Sequence, residues 1–339
     1  MKILLTTPDY PPRLGGLSTF TLNLETILND LAINYQLLVW KNPTHLKKTI
    51  ASITKDQINF IINVHHLPVL FYKNKIPTIN FFHGSEILFY SPNLFKHMAK
   101  QILKRTILQR IESSYINIFI SNFTMEKARY QGLKINYARD IIIHNGISVT
   151  TDQTTPHFKS LNDNSRLCLV SIARDVPHKN LAGTVHFAEI LSKISKKDIS
   201  LYITSSKYTS KIIEVIPLVN LTDEQRDLIY KQCHFNLLLS LDNSKKGFFE
   251  GFGLTVLEAA LKGTPSIALN LAGLSESIHH NQTGFLIDKI SEESISSFWE
   301  MANNNYDNVA INCFQHTVDS HSMDIYKKIF RRIIGATNE

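Results

Sequence analysis

Phe249-Glu250-Gly-Phe-Gly-Leu-Thr-Val-Leu-Glu258-Ala-Ala-Leu-Lys-Gly263-Thr-Pro265 follows the apolar run Phe235–Leu239 after a short loop. The run is short, apolar and bounded by polar residues, as a buried strand is. Gly251 and Gly253 let backbone come close to a neighbour or ligand. A helix is predicted to open at about Leu254, with Gly263 placed as its C-cap and Pro265 starting the next strand. Strand, loop, helix and strand in succession is the unit from which parallel sheets are wound.

The same alternation extends in both directions. Towards the N-terminus, strands are predicted at Ile3–Thr7, Gln36–Trp40, Ile58–Val64, Thr78–Phe82, Ile116–Ile120 and Ile141–Ile143, with helices at Ser18–Ala32, Asn93–Ser113 and Asn122–Gln131. A second series has strands at Leu167–Ile172, Leu201–Thr204, Phe235–Leu239 and Ser266–Leu269. Its helices are Asn180–Ile194, Thr222–Gln232, Leu254–Lys262 and Ser291–Asn303. Between the series, Asn145-Gly146 precedes a Ser/Thr/Pro-rich stretch ending at Pro156, the clearest linker signal in the chain. The predicted organisation is two doubly wound α/β domains, residues 1–150 and 151–319. A helix over 320–339 follows, for which a return to the N-terminal domain is open. Ligands of such sheets bind at the carboxyl ends of the strands.

The 339 residues suffice for two cores. A 43% hydrophobic and 19% charged composition is that of a globular protein and excludes disordered or collagen-like classes. No apolar run approaches the roughly 20 residues of a membrane span, and the opening Met-Lys-Ile-Leu-Leu-Thr-Thr-Pro has too short an apolar core for a signal peptide. Cys168, Cys233 and Cys313 are widely spaced in apolar runs and read as buried thiols of a reducing, cytoplasmic compartment. Charge is unequally shared: residues 1–150 carry 17 Lys+Arg and 8 Asp+Glu, a net of +9, and the remainder a net of −2. A basic first half suits nucleic acid, an anionic membrane or an anionic acceptor.

Chemistry concentrates at the predicted strand ends. The first N–H groups of the helix at Leu254 lack intrahelical partners and favour anions. Glu250 before that helix and Glu258 in its second turn supply carboxylates that accept hydrogen bonds from hydroxyls of one extended ligand. Arg174 and Lys179 flank the start of the helix at Asn180, where cations are disfavoured unless an anion joins them. Strand one ends in a Pro-Pro, Gly15-Gly16 loop, with Ser18 or Thr19 positioned to cap the next helix. The loop is no Walker A motif, since no Gly-Lys-Ser/Thr follows. His83, in Phe82-His83-Gly84-Ser85-Glu86, stands where a buried strand runs out. The adjacent pairs His65-His66 and His279-His280 do not define a metal site by themselves, and no Asp-x-Asp motif is present.

Taken as a whole, the Glu250–Glu258 segment resembles the E-x7-E signature of the family 4 retaining glycosyltransferases of bacterial surface-polysaccharide type. Their GT-B fold sets two Rossmann-like domains facing across a cleft. Ser171-Ile-Ala-Arg174 with Lys179-Asn180 resembles the family's Gly-Arg and Lys-Asn or Lys-Gly stretch, Ala173 replacing the usual glycine. Gly273-Leu-Ser-Glu-Ser-Ile and Thr-Gly284-Phe-Leu-Ile resemble its last conserved stretch. The resemblance implies an acceptor-binding first domain and a nucleotide-sugar-binding second domain. It also implies donor-sugar contact from Glu250, ribose contact from Glu258, and backbone amides from Phe252, Gly253 and Leu254. Arg174 and Lys179 would grip the diphosphate in place of a metal, with no cofactor. His83 would lie beside the donor sugar and Gly16 near its phosphate, with Gly15 and Glu86 towards the acceptor. UDP is the expected donor nucleotide, and the acceptor a lipid-linked or lipopolysaccharide saccharide. Two departures are visible: an insertion, Asp242–Phe248, before the motif, and Thr204-Ser-Ser-Lys-Tyr-Thr-Ser210 in place of a glycine-rich turn.

The helix over Leu94–Ile111 bears on the partner. Leu94, Phe95, Met98, Ala99, Ile102, Leu103 and Ile107 form an apolar stripe, with Lys96, His97, Lys100, Lys104 and Arg105 opposite. Two readings are open: a core-packed helix with a solvated cationic face, or a peripheral contact with an anionic membrane surface. Two other functions compete with the glycosyltransferase. A sugar-nucleotide epimerase shares the fold but needs acid/base carboxylates in place of this Glu pair and acceptor loop. A basic nucleic-acid-binding protein lacks any recognisable motif here, so no nucleic-acid partner is expected.

Overall fold

The computed structural model describes residues 2–11, 15–52, 58–72, 76–148, 156, 158–162 and 166–335. Pro12-Arg13-Leu14 of the first loop and residues 149–155 of the linker, including the boundary at 150, lie outside the described residues.

Two compact units are present. The first gathers Met1–Gly146, Asn243–Phe252 and Tyr326–Glu339; the second Ile147–Asp242 and Gly253–Ile325. Each contains a six-stranded, all-parallel sheet. In the first unit β1 (Lys2–Thr7), β2 (Asn34–Val39), β3 (Phe60–Asn63), β4 (Thr78–Phe82), β5 (Ile116–Phe119) and β6 (Ile141–Ile142) lie in the order β2-β1-β3-β4-β5-β6. The order reverses between β1 and β3, so the crevice of this sheet opens at the carboxyl ends of those two strands. Helices α1 (Gly16–Asp30), α2 (Pro43–Ser52), α3 (Leu94–Glu112) and α4 (Asn122–Tyr130) connect them.

The second unit holds β7 (Arg166–Ser171), β8 (Asp198–Ile203), β9 (Glu214–Pro217), β10 (Phe235–Leu238), β11 (Ser266–Leu269) and β12 (Gly284–Ile287), in the order β12-β11-β10-β7-β8-β9. Counted from β7 this is the dinucleotide-fold order 3-2-1-4-5-6, whose reversal lies between β7 and β10. Its helices are α5 (Leu181–Ser195), α6 (Asp223–Gln232), α7 (Leu254–Ala260), α8 (Leu274–Ser277) and α9 (Glu292–His321). Phe187 and Leu191 of α5 and Phe298 and Ala302 of α9 join Phe235 and Phe285 in one core. The last helix, α10 (Met323–Gly335), carries its C-terminal part into the first unit. There Tyr326 packs edge-on against Phe20 and Lys327 pairs with Asp30 at 2.7 Å.

A polar ladder crosses the first sheet in register. Thr6 donates to Asn63 Oδ1 at 2.7 Å, Asn63 to Asn80 at 2.9 Å, Asn80 to Asn117 at 2.9 Å, and Asn117 to Asp140 at 2.9 Å. Each amide is buried and each is satisfied by its cross-strand neighbour, which lets polar residues occupy central strands without a desolvation loss.

Several elements differ from the sequence expectation for identifiable reasons. Helix α2 buries only Leu46, so it shows no apolar period. Strand β9 lies at the edge of its sheet, with residues half-buried or exposed. The run Asn303-Asn-Asn305 suggested a stop, yet α9 continues to His321 because Tyr306, Val309, Ala310, Cys313 and Thr317 lie buried beyond it. Tertiary packing there outweighs weak local propensity. The break to α10 falls at Ser322, where Ile147 N–H donates to His321 O at 2.7 Å and Ile147 O accepts from Met323 N at 3.1 Å. Neither Ser18 nor Thr19 caps α1. The helix starts at Gly16 with Gly15 as N-cap and no side-chain cap bond, and Ser18 Oγ is buried without a partner among the described residues. All three cysteines are free thiols, but only Cys233 and Cys313 are buried, Cys168 being half-buried; burial pushes the Cys313 thiol up to about 12.

Candidate functional site

In the first unit the carboxyl end of β4 delivers His83. Its ring packs edge-on against Phe20, centroids 4.3 Å apart, and its Nε2 is buried with no hydrogen-bond partner among the described residues. Burial, with a smaller contribution from His65, pulls the imidazole down to about 3, so it is neutral at physiological pH. A neutral ring with one unmatched nitrogen is equipped to bond a hydroxyl, and such an orphan calls for a partner. Glu86 sits in the 3-10 turn Ser85–Ile87, where one carboxylate oxygen accepts the N–H groups of both His83 and Gly84. Burial raises its pKa, offset by these backbone donors. Glu86 thereby holds the His83–Gly84 turn in shape.

The loop Asn243–Phe252 belongs to this unit. A 3-10 turn, Ser244–Lys246, ends at Gly247 with φ +85, and Asn243 bridges Phe248. A Cβ on Gly247 would stand 2.7 Å from Tyr90 Cδ1. Phe249 packs edge-on against Phe123 at 5.2 Å, and the fully buried Phe252 lies 5.0 Å from His144. Gly251 lies against the His83 carbonyl so closely that a Cβ would approach the oxygen to 2.2 Å. Gly251, buried next to the half-buried Glu250, is thereby seated on the His83 turn.

Where the strand order reverses, β1 runs towards Gly15 and Gly16 and β3 runs into Val64-His65-His66. The two histidine rings stack at 4.8 Å, and His66 Nδ1 is buried with no partner among the described residues. Burial draws His65 down to about 4 and His66 well below its usual value. The sequence does not show this placement at the end of a strand beside the reversal, which depends on the strand order. Among the described residues no group of three or more His, Cys, Asp or Glu side chains is arranged to hold a metal ion.

In the second unit Arg174 follows β7 at the reversal, its side chain exposed and without an ion pair among the described residues. Beside it Asp175 is held by Ser205 Oγ at 2.9 Å, Tyr208 OH at 3.2 Å and Lys207 Nζ at 2.9 Å. The Thr204–Ser210 stretch is thereby tied to the end of β7. Lys179 closes the 3-10 turn Pro177–Lys179, and Asn180, at φ +53, leads into α5 and donates to Leu239 O at 3.2 Å. This joins the loops after β7 and β10.

Gly253, at φ +89, opens α7, and a Cβ there would meet Leu238 Cδ2 at 2.8 Å. Leu254 is the first residue of that two-turn helix, which ends at Ala260, before Gly263 at φ +73. Glu258 reaches towards Arg226 of α6 at 3.9 Å, and Lys262, 3% exposed, pairs with Asp227 at 2.6 Å. Burial raises the Glu258 pKa, opposed by Arg226 and reinforced by Asp223 and Asp227. Arg226 was not picked out from sequence, since it lies 32 residues before Glu258 with no motif around it. The Glu250–Glu258 motif is thus divided, Glu250, Gly251 and Phe252 packing with the first unit and Gly253 to Glu258 with the second.

Residues 152–298 match the family model described as Glycosyl transferases group 1. Sucrose synthase 3 of Arabidopsis thaliana is 27% identical over 214 residues, 54% of this chain but only 26% of the plant protein. Among solved structures, Anabaena HepE in complex with UDP superposes with a TM-score of 0.71 at 13% identity, covering 99% of this chain and 100% of that one. Sucrose-phosphate synthase of Thermosynechococcus elongatus gives 0.69 at 13% identity, covering 99% of both. With its two parallel six-stranded sheets and their helices, the chain has the GT-B fold.

Proposed function

We propose that this chain is a retaining, metal-independent glycosyltransferase that moves a sugar from a nucleotide diphosphate sugar to a saccharide acceptor. The observation that carries this reading is the match of residues 152–298 to the group 1 glycosyl transferase model, in a sheet whose reversal bears an exposed Arg174 with no ion pair among the described residues. Breaking a sugar–phosphate bond leaves a nucleoside diphosphate with growing negative charge, which preorganised cations and N–H donors stabilise. Arg174, Lys179, Gly16 and the amides of Phe252, Gly253 and Leu254 supply them. Glu258 accepts from the ribose hydroxyls, and Glu250 from the donor sugar. The neutral imidazole of His83 bonds a sugar hydroxyl without adding a positive charge. Gly15 belongs to the acceptor side, and Glu86 acts there by holding the His83 turn. UDP is the nucleotide this reading favours, as the HepE complex contains it.

The acceptor in this proposal is a lipid-linked or lipopolysaccharide saccharide of surface-polysaccharide synthesis, met at the inner face of the cytoplasmic membrane. The basic first half supports it. Among the described residues no helix is long and apolar enough to cross a membrane, so contact would be peripheral. Thermal-shift measurement against UDP-, GDP- and ADP-sugars tests the donor. A UDP-sugar at about 100 times its Kd should stabilise the wild type by about 2.7 kcal/mol. Glu258→Ala and Arg174→Ala should lose most of that gain. If no nucleotide sugar raises the Tm, the reading fails.

A further inference from the structure

Helix α3 is built inside out. Its polar side chains turn towards the protein: Lys100 Nζ donates to Tyr90 O at 2.8 Å and Gln101 Nε2 to Phe89 O at 2.6 Å. Lys104 Nζ stands 5.6 Å from the centre of the Phe89 ring, and His97 packs edge-on against Tyr90. Only Ile107, Leu108 and Ile111, in the last two turns, are buried. The apolar residues of the first three turns face water instead: Leu94 is 68% exposed, Phe95 83%, Met98 53%, Ile102 75% and Leu103 42%. Of the two readings open from sequence, a core-packed stripe with a solvated cationic face is the one the structure rejects. Five large apolar side chains at helical spacing form a contiguous exposed face, which in a globular protein marks an interaction site.

We infer that the N-terminal half of α3 is a membrane-docking element, lying in the interface of an anionic bilayer with Leu94, Phe95, Met98 and Ile102 at acyl depth. Charge complementarity selects this occupant. Residues 94–111 contain five Lys+Arg and no Asp or Glu. Lys96 and Arg105 are exposed on α3, and Lys245 and Lys246 are exposed on the loop whose Gly247 packs against Tyr90. An apolar stripe bordered by cations is the pattern that interfacial helices present to anionic headgroups. A second copy is a poor fit, because a two-fold contact would set the same cations against each other. The inference deepens the lipid-linked-acceptor reading. Its test uses no sugar nucleotide, so the two fail separately.

The test is sedimentation of the full chain with vesicles of phosphatidylcholine alone or mixed with phosphatidylglycerol, at low and high salt. The wild type should pellet with the mixed vesicles at low salt and be released as salt rises. The Phe95→Ser/Ile102→Ser double variant, altered only at exposed positions, should bind at least about 100-fold more weakly. An unchanged circular dichroism melt would show it folded. Lys96→Gln/Arg105→Gln should weaken binding to the mixed vesicles about 25-fold, each cation being worth about a factor of 5 near such a surface. Absence of wild-type binding to the mixed vesicles would overturn the inference, as would equal binding by the double variant. So would sedimentation velocity showing a wild-type dimer that the double variant dissolves.

Discussion

Replacing Gly251 by alanine should dislodge the loop Asn243–Phe252 and abolish donor use while leaving most of the fold standing. A Cβ at this position would lie 2.2 Å from the His83 carbonyl oxygen and 2.9 Å from Ile120 Cδ1. The first contact is with backbone at the end of a buried strand, so it cannot be relieved by a rotamer change. The loop must move, and with it Glu250 and the packing of Phe249 on Phe123. Overpacking of this kind costs about 1–3 kcal/mol, whereas a 1 Å displacement of a positioning element costs about 100-fold in rate. The variant should therefore show a modest fall in Tm, faster amide exchange confined to the loop and the His83 turn, and turnover of a nucleotide sugar reduced at least about 100-fold. Gly335→Ala, at a position where an added Cβ meets nothing within 4 Å among the described residues, is the control. Wild-type exchange and turnover in Gly251→Ala would show that the loop is not anchored through this contact.

Acid should unfold the protein well above the carboxylate range. Burial is the leading cause that pulls His83 to about 3 and His65 and His234 to about 4. Because these folded-state values lie below the ordinary 6.5, the unfolded chain takes up the protons first. The stability they protect is complete above about pH 6.5 and is lost as pH falls towards 4. Each pH unit in that window is worth about 1.4 kcal/mol per ring. At pH 5 three such rings together remove roughly 6 kcal/mol, comparable with the whole stability of an ordinary domain. Urea midpoints measured at pH 7.5, 6 and 5 should fall steeply. The His234→Gln variant, in which Cys168 N keeps an acceptor in place of His234 Nδ1, should fall less. A midpoint unchanged down to pH 5 would mean that these rings are hydrated and titrate normally. The same depression keeps His83 neutral at working pH, so no limb of an activity profile between pH 6 and 8 should belong to it.

The alternation of short apolar runs with helix-period segments determined the α/β class, because side-chain periodicity is a local property that the chain displays wherever an element meets a core. The motif around Glu250–Glu258 was legible for a similar reason: glycines, a helix start and carboxylates at fixed spacing are adjacent in sequence. Strand order was not legible. The reversals at β1/β3 and β7/β10, which put His65, His66 and Arg174 at the carboxyl ends of the strands where each sheet order turns, depend on which strands pair across tens of residues. The length of α9 was set by the surfaces that bury Tyr306 and Val309, against the local preference of three asparagines. Glu86 and Arg226 acquired their roles only from backbone and side chains brought beside them. Helix α3 shows the limit most plainly. Its stripe was visible in the sequence, but a periodic pattern is symmetrical between facing the core and facing out. The carbonyls of Leu88, Phe89 and Tyr90, by taking Lys100 and Gln101 as partners, decided that the apolar side faces water.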